Sequence, residues 1–176
     1  MLIREADKSN AVGIARAQVD AWQTAYKGIV PDDYLASYTY EKRAERWRQI
    51  LASQENQENY FPFVAEIKEK RIVGFASAGD VEESIEGFAG ELIAIYLLEN
   101  YQRRGIGKLL VKAIVERFLQ QQTTSMLVWV LADNPFRAFY ERLGGEVVSE
   151  KQIEIGGASL IAVSYGWKNL DVLLER

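Results

Sequence analysis

Apolar and polar positions recur with three rhythms along this chain of 176 residues, and each rhythm predicts a different element. Leu92 to Leu98 is an unbroken apolar run, which reads as a strand covered on both faces. Just after it, Ile106, Leu109, Leu110, Ala113, Ile114 and Phe118 recur at spacings of three and four, which predicts a helix with one inward face, ending near Gln121. Residues 61–67 and 71–77 are two apolar strands joined across Lys68-Glu-Lys70, a hairpin in which Pro62 sits near a strand start. Leu2 to Ala6 is a first strand. A helix capped by Asp7 or Ser9 follows, with Ala11, Ile14, Ala15, Gln18, Trp22, Ala25 and Tyr26 on one stripe until Gly28 stops it. Pro31-Asp-Asp33 reads as a turn, and a second helix over about 41–51 turns Ala44, Trp47, Ile50 and Leu51 inward. The polar stretch from Ser53 to Asn59 and the acidic one from Asp80 to Gly90 read as loops. Met126 to Leu131 is a further strand. Asp133 or Asn134 then caps a short helix with Pro135 in its first turn, and Gly144-Gly145 ends it. Strands over about 146–155 and 159–167 meet at Gly156-Gly157, a hairpin signal.

This order predicts one α/β domain (α+β by some schemes) over residues 1–176. Its centre is a mixed, mostly antiparallel sheet of about seven strands flanked by about four helices, with a crossover helix between two parallel central strands. A site belongs where those central strands end and their connections diverge.

Composition narrows the chemistry. The chain is 48% apolar and 26% charged, an ordinary globular balance, and its net charge of −4 speaks against nucleic-acid or anionic-membrane partners. It has no Cys and no His. Thiol nucleophiles, Ser–His and Cys–His catalysis and most zinc or iron sites are therefore excluded, and no metal is expected. Acid–base work falls to Glu, Asp, Lys or Tyr. No leader pattern opens the chain and no apolar run approaches a membrane span, so a cytoplasmic location is the expectation.

At the junction of the central strand and helix lies Tyr101-Gln-Arg-Arg-Gly-Ile-Gly-Lys108, two glycines and three cations in an acidic chain. A strand, a glycine turn and a helix start leave N–H groups unpaired beside the positive end of the helix dipole, which makes a seat for phosphate. An ordinary strand-to-helix loop with solvated cations has the same outline. Neither a triphosphate P-loop nor a dinucleotide fingerprint fits, because the required glycines are missing.

What remains, Gln102-x-x-Gly105-x-Gly107, resembles the acetyl-CoA-binding motif of the GNAT family of N-acetyltransferases. The strand from Glu91 to Leu98 and the segment Asn134-Pro-Phe-Arg-Ala-Phe-Tyr-Glu-Arg-Leu-Gly144 extend the resemblance over about 90–145. Trp22-Gln-Thr-Ala-Tyr-Lys-Gly-Ile-Val-Pro31 is similar to a subgroup of small bacterial members. One departure is Gly145-Glu146, where members often have Gly-Phe.

The resemblance implies direct acetyl transfer from acetyl-CoA to a primary amine of a small molecule or peptide, with no covalent enzyme intermediate. It places pyrophosphate on Arg103, Arg104, Gly105, Ile106, Gly107 and Lys108, with Gln102 alongside. The pantetheine arm runs along Ile95, Tyr96 and Leu97, and the amide of Leu97 faces the thioester oxygen. Tyr140 matches the general acid; its other reading is a core tyrosine, on one helical stripe with Phe136, Phe139 and Leu143. Asn134 matches a pantetheine- or water-binding position and is also a plain N-cap; Arg137 is a candidate for the CoA phosphates or for a solvated face. Glu91 is the candidate base, working through water, or a strand-end carboxylate in solvent. Trp22, Tyr26 and Trp47 are candidates for the acceptor pocket or ordinary core aromatics. Asp80, Glu82, Glu83 and Glu86 either draw in a cationic substrate or form a solvated loop. A protein N-terminus or lysine as acceptor, and a non-catalytic acyl-CoA-binding regulatory domain, are the rival functions. A homodimer is compatible with the family.

Overall fold

The computed structural model describes residues 1–53, 59–82 and 85–175. The middle of the polar stretch before the first hairpin and Glu83 lie outside them. Seven strands, β1 (Leu2–Glu5), β2 (Tyr60–Ile67), β3 (Arg71–Asp80), β4 (Gly90–Leu97), β5 (Met126–Leu131), β6 (Glu146–Ile155) and β7 (Ala158–Trp167), form one sheet in the order β1-β2-β3-β4-β5-β7-β6. Only β4 and β5 run parallel, and α4 (Ile106–Gln120) crosses between them, as the order of elements predicts.

Two layers of helices cover the sheet. Phe61 and Val64 are three positions apart in β2 and so face opposite ways. Phe61 meets Phe118 of α4 edge-on at 5.1 Å between ring centroids. Val64 pairs with Phe75, which meets Trp47 of α3 (Tyr40–Ser53) at 5.0 Å, so α3 and the α1 helix (Ala11–Ala25) packed on it lie on the other face. Asp7 starts this layer: its carboxylate accepts from Ser9 N at 2.8 Å while Asn10 Oδ1 accepts from Asp7 N at 2.9 Å, a reciprocal cap on the turn that leads into α1. Trp47 is buried in the core, its Nε1 donating to Gln18 Oε1 at 2.8 Å, and it is not among the residues that line the cavity between β4 and β5.

Three sequence expectations shift. The segment after Pro31 is a short helix, α2 (Asp32–Ser37), where the Pro and Asp residues suggest only a turn; it makes five helices among the described residues. The inward stripe of α4 is rotated, because Val111 and Val115 are buried while Leu109 is exposed. The last helix, α5 (Ala138–Arg142), begins later than Asn134. Asn134 Oδ1 accepts instead from Phe136 N at 2.8 Å, capping the turn that precedes α5.

The central strands are built to part. Ser77 lies opposite Ala94 but Ala78 lies opposite Leu92, so Ile93 is an extra residue bulged out of β4. Pairing of β4 with β5 stops at the same place, after Gly90–Met126 and Glu91–Leu127. Beyond it, the facing edges of the two strands open into a wedge.

Candidate active site

The wedge holds a cavity of about 860 Å³ that reaches from the turn before α4 to the end of α1. At one end, β4 runs through a single 3-10 turn into Gln102, whose Nε2 donates to Leu97 O at 3.2 Å and ties the loop back to the strand. Gly105 has φ +80°, a left-handed conformation, and directly precedes Ile106, the first residue of α4. The N–H groups of Ile106, Gly107 and Lys108 open the helix and have no intrahelical acceptors. A Cβ on Gly107 would stand 3.3 Å from the Phe139 ring and 3.5 Å from Leu97 Cδ1, so this glycine lets α4 seat closely against α5 and β4. Arg103 and Lys108 line the cavity, whereas the Arg104 guanidinium lies 5.5 Å from the Tyr101 ring centroid. Unpaired amides, the helix dipole and two cations fit a phosphate group.

Further in, Ile95, Tyr96 and Leu97 of β4 face Val128, Trp129 and Val130 of β5 across the wedge. Tyr140 of α5 is buried against Phe139 and Tyr165, with ring centroids 5.4 and 5.8 Å away. Burial pushes its phenol well above the ordinary value, and Tyr26 adds to the shift. Tyr140 also lines the cavity, and no described residue hydrogen-bonds its hydroxyl. At the far end, Tyr26 forms the wall with Ala21 and Ala25 of α1. Its hydroxyl accepts from Asn134 Nδ2 at 3.1 Å.

The structure thus brings most of the anticipated residues onto one cavity and leaves others off it. Ile106 is buried under the turn. Arg137 turns inward: Nε and Nη2 donate to Tyr165 Oη at 3.0 and 2.9 Å, and Nη1 to Ala132 O at 2.8 Å. This is a clamp between α5, β7 and the turn after β5, not a hand held out to phosphate. Arg137→Met is therefore expected to cost about 1–3 kcal/mol of stability while changing acetyl-CoA affinity less than about twofold, a pair of outcomes that denaturant melts and calorimetry read separately. Glu91 lies at the closed, paired end of the wedge, outside the cavity wall, and accepts from Glu82 N at 3.4 Å. Trp22 stands behind Tyr26, stacked on Tyr38 at 4.5 Å, and does not line the cavity. Arg142 of α5 does, and nothing in the spacing of charges along the sequence singles it out.

Comparison with known proteins agrees with this layout. The family model described as Acetyltransferase (GNAT) family matches residues 15–145. An uncharacterized N-acetyltransferase, YuaI, of Bacillus subtilis (strain 168) is 39% identical over 171 residues, covering 97% of this chain and 95% of that one. Among solved structures, the PaiA N-acetyltransferase of Thermoplasma acidophilum in complex with coenzyme A superposes with a TM-score of 0.72 at 20% identity, covering 92% and 96% of the two chains. YncA of Salmonella typhimurium, solved with its cofactor acetyl-CoA, gives 0.68 at 21% identity over 97% and 94%. At such identities the superpositions speak for the fold, while the family match and the Bacillus relative speak for descent. The chain belongs to the GNAT acetyltransferase family and is an N-acetyltransferase.

Proposed function

We propose that this chain moves the acetyl group of acetyl-CoA directly to a primary amine of a small molecule or peptide, with both substrates bound together and no acyl-enzyme. The observation that carries the reading is the wedge itself: an anion seat at one end, a free strand edge along its length, and in the middle a phenol whose hydroxyl no described residue hydrogen-bonds. The thioester supplies an acyl group already activated for attack, so the protein's work is positioning, charge stabilisation and proton handling.

The amides of Gly105 to Lys108, with Arg103 and Lys108, hold the pyrophosphate. Backbone groups of Ile95 to Leu97, released from pairing where β5 diverges, hold the pantetheine arm as a neighbouring strand would be held. The Leu97 amide serves the thioester oxygen. Tyr140, kept protonated by its burial, donates to the departing sulfur. An alkylammonium has a pKa of ~10.4 and must lose a proton before it attacks. Glu91 takes that proton through water, a route in keeping with its place outside the cavity wall. Glu91→Gln should then depress the rate most at low pH, where the amine is charged, and progressively less as pH rises. A rate–pH profile parallel to the parent's removes Glu91 from the reaction.

The reading is tested by calorimetric titration of acetyl-CoA, followed by thiol release against a panel of amines. Binding with turnover supports it. Binding without turnover on any primary amine, peptide amines included, favours an acyl-CoA-binding regulatory role. Absence of binding overturns it.

A further inference from the structure

The phenol in the middle of the cavity is carried by an element that cannot place it unaided. α5 has five residues, Ala138–Arg142, little more than one turn of helix with few hydrogen bonds of its own. Its bearings come from β7. Trp167 Nε1 donates to Leu143 O at 3.0 Å, just past the helix end. Tyr165 holds the rest: its hydroxyl accepts from Arg137 Nε at 3.0 Å and Nη2 at 2.9 Å, and donates to Glu141 Oε1 at 2.8 Å. A phenol oxygen has one proton and two lone pairs, so this one is saturated and its direction is fixed. Arg137 also donates to Ala132 O at 2.8 Å, which ties the turn after β5 to the same point. Arg137 and Glu141 bracket Tyr140 in the chain, so the Tyr165 hydroxyl grips the stretch that bears Tyr140 from both sides.

The Tyr165 ring is also what Tyr140 lies on. The two rings are stacked, 26° between their planes with centroids 5.8 Å apart, while Phe139 meets Tyr140 edge-on. No described residue hydrogen-bonds the Tyr140 hydroxyl, so its direction is set by the rings around it and by the seat of α5. Tyr165 itself is 1% exposed and pairs with Val128, one strand behind the cavity wall, so it touches neither substrate. We infer that Tyr165 is a positioning residue for the acetyl transfer: through its stacked ring and its saturated hydroxyl it aims the Tyr140 O–H at the departing sulfur. Such aim matters, since a displacement of about 1 Å costs about a hundredfold in rate. The inference rests on the reading of Tyr140 as the general acid.

Tyr165→Phe keeps the ring and removes the three hydrogen bonds of its hydroxyl. The test places it in the parent and in Tyr140→Phe, and follows thiol release from acetyl-CoA with propylamine, glycinamide, a glycyl peptide amide and water as acceptors. In the parent, kcat is expected to fall about tenfold, with KM and affinity for acetyl-CoA unchanged within about twofold. In Tyr140→Phe no acid is left to aim, so the same substitution should change kcat by less than about twofold. Equal losses in the two backgrounds overturn the inference, because a residue that only supports the fold acts whether or not Tyr140 has its hydroxyl. An unchanged kcat in the parent overturns it as well. Glu141→Ala is the second variant, and it decides alone if thermal melting shows Tyr165→Phe unfolded. Glu141 is exposed and Ala is a good helix former, so the substitution removes only the acceptor of the Tyr165 proton. Its expected fall in kcat, about threefold, should vanish in Tyr140→Phe in the same way; a fall that persists there, or none in the parent, overturns the inference. Full activity of Tyr140→Phe removes the acid itself and takes the inference with it, whereas additive losses beside an impaired Tyr140→Phe remove the inference alone. Absence of thiol release from the parent with every acceptor overturns the reading of the cavity as the transfer site, and this inference with it.

Discussion

Gly105→Val is expected to lower acetyl-CoA affinity on the order of a hundredfold while leaving the protein folded. The cause is backbone conformation, not crowding. Nothing lies within 4 Å of the place a Cβ would take at Gly105, so the new side chain has room. Its φ of +80° is the difficulty, since a β-branched residue is a true outlier there. The peptide is expected to swing to negative φ, and the amides of Ile106 to Lys108 then turn away from a common point. Each charge-assisted hydrogen bond lost is worth about 1.5–3 kcal/mol, so one or two suffice for the predicted drop. Gly105→Ala, with a milder conformational penalty of about 1–2 kcal/mol, should fall between the two. Calorimetry reads the affinity and a thermal melt checks the fold. An unchanged affinity in Gly105→Val would reduce the whole turn to a connection between β4 and α4.

That turn was the most legible part of the chain, because everything it needs is local: a strand end, two glycines and a helix start within a few residues. The alternating and helical patterns likewise delivered all seven strands and the parallel central pair. What stayed hidden depends on where side chains point after folding. α2 is barely longer than a turn, so the Pro and Asp that open it carry a stronger signal than its own periodicity. Arg137 reads along the sequence as a phosphate ligand or a solvated cation, because nothing local shows which way its side chain turns. In the folded chain its guanidinium faces the Tyr165 hydroxyl, contributed by a strand 28 positions further on. The bulge at Ile93 is silent in an unbroken apolar run, yet it marks where β4 and β5 part and leaves Glu91 on the closed side. The bond between Tyr26 and Asn134 joins residues more than a hundred positions apart, and no local pattern foreshadows such a pair.

Tyr140→Phe should reduce kcat about a hundredfold with acetyl-CoA affinity nearly unchanged, the low end of what a positioned acid contributes. The reason for the low end lies in the burial of the ring. An ordinary thiol has a pKa near ~8.5, and the Tyr140 phenol is held far above its own usual value near 10. Complete proton transfer from Tyr140 to the leaving thiolate is therefore uphill. What the phenol offers is a strong, preorganised hydrogen bond to charge as it develops on sulfur, in a site where no described residue competes for it. The same shift fixes the pH behaviour. An acid with a raised pKa is fully protonated below that value and loses its proton only above it, so kcat of the parent should show no falling limb from Tyr140 between about pH 7 and 9.5. It should rise with amine deprotonation and level off, and Tyr140→Phe should trace the same shape at a lower plateau. A falling limb in the parent that vanishes in the variant would mean that Tyr140 titrates within the working range and that burial does not govern it. Full activity in the variant would return Tyr140 to the stack with Phe139 and Tyr165, and the proton on the departing thiol would then have to come from water or from Tyr26.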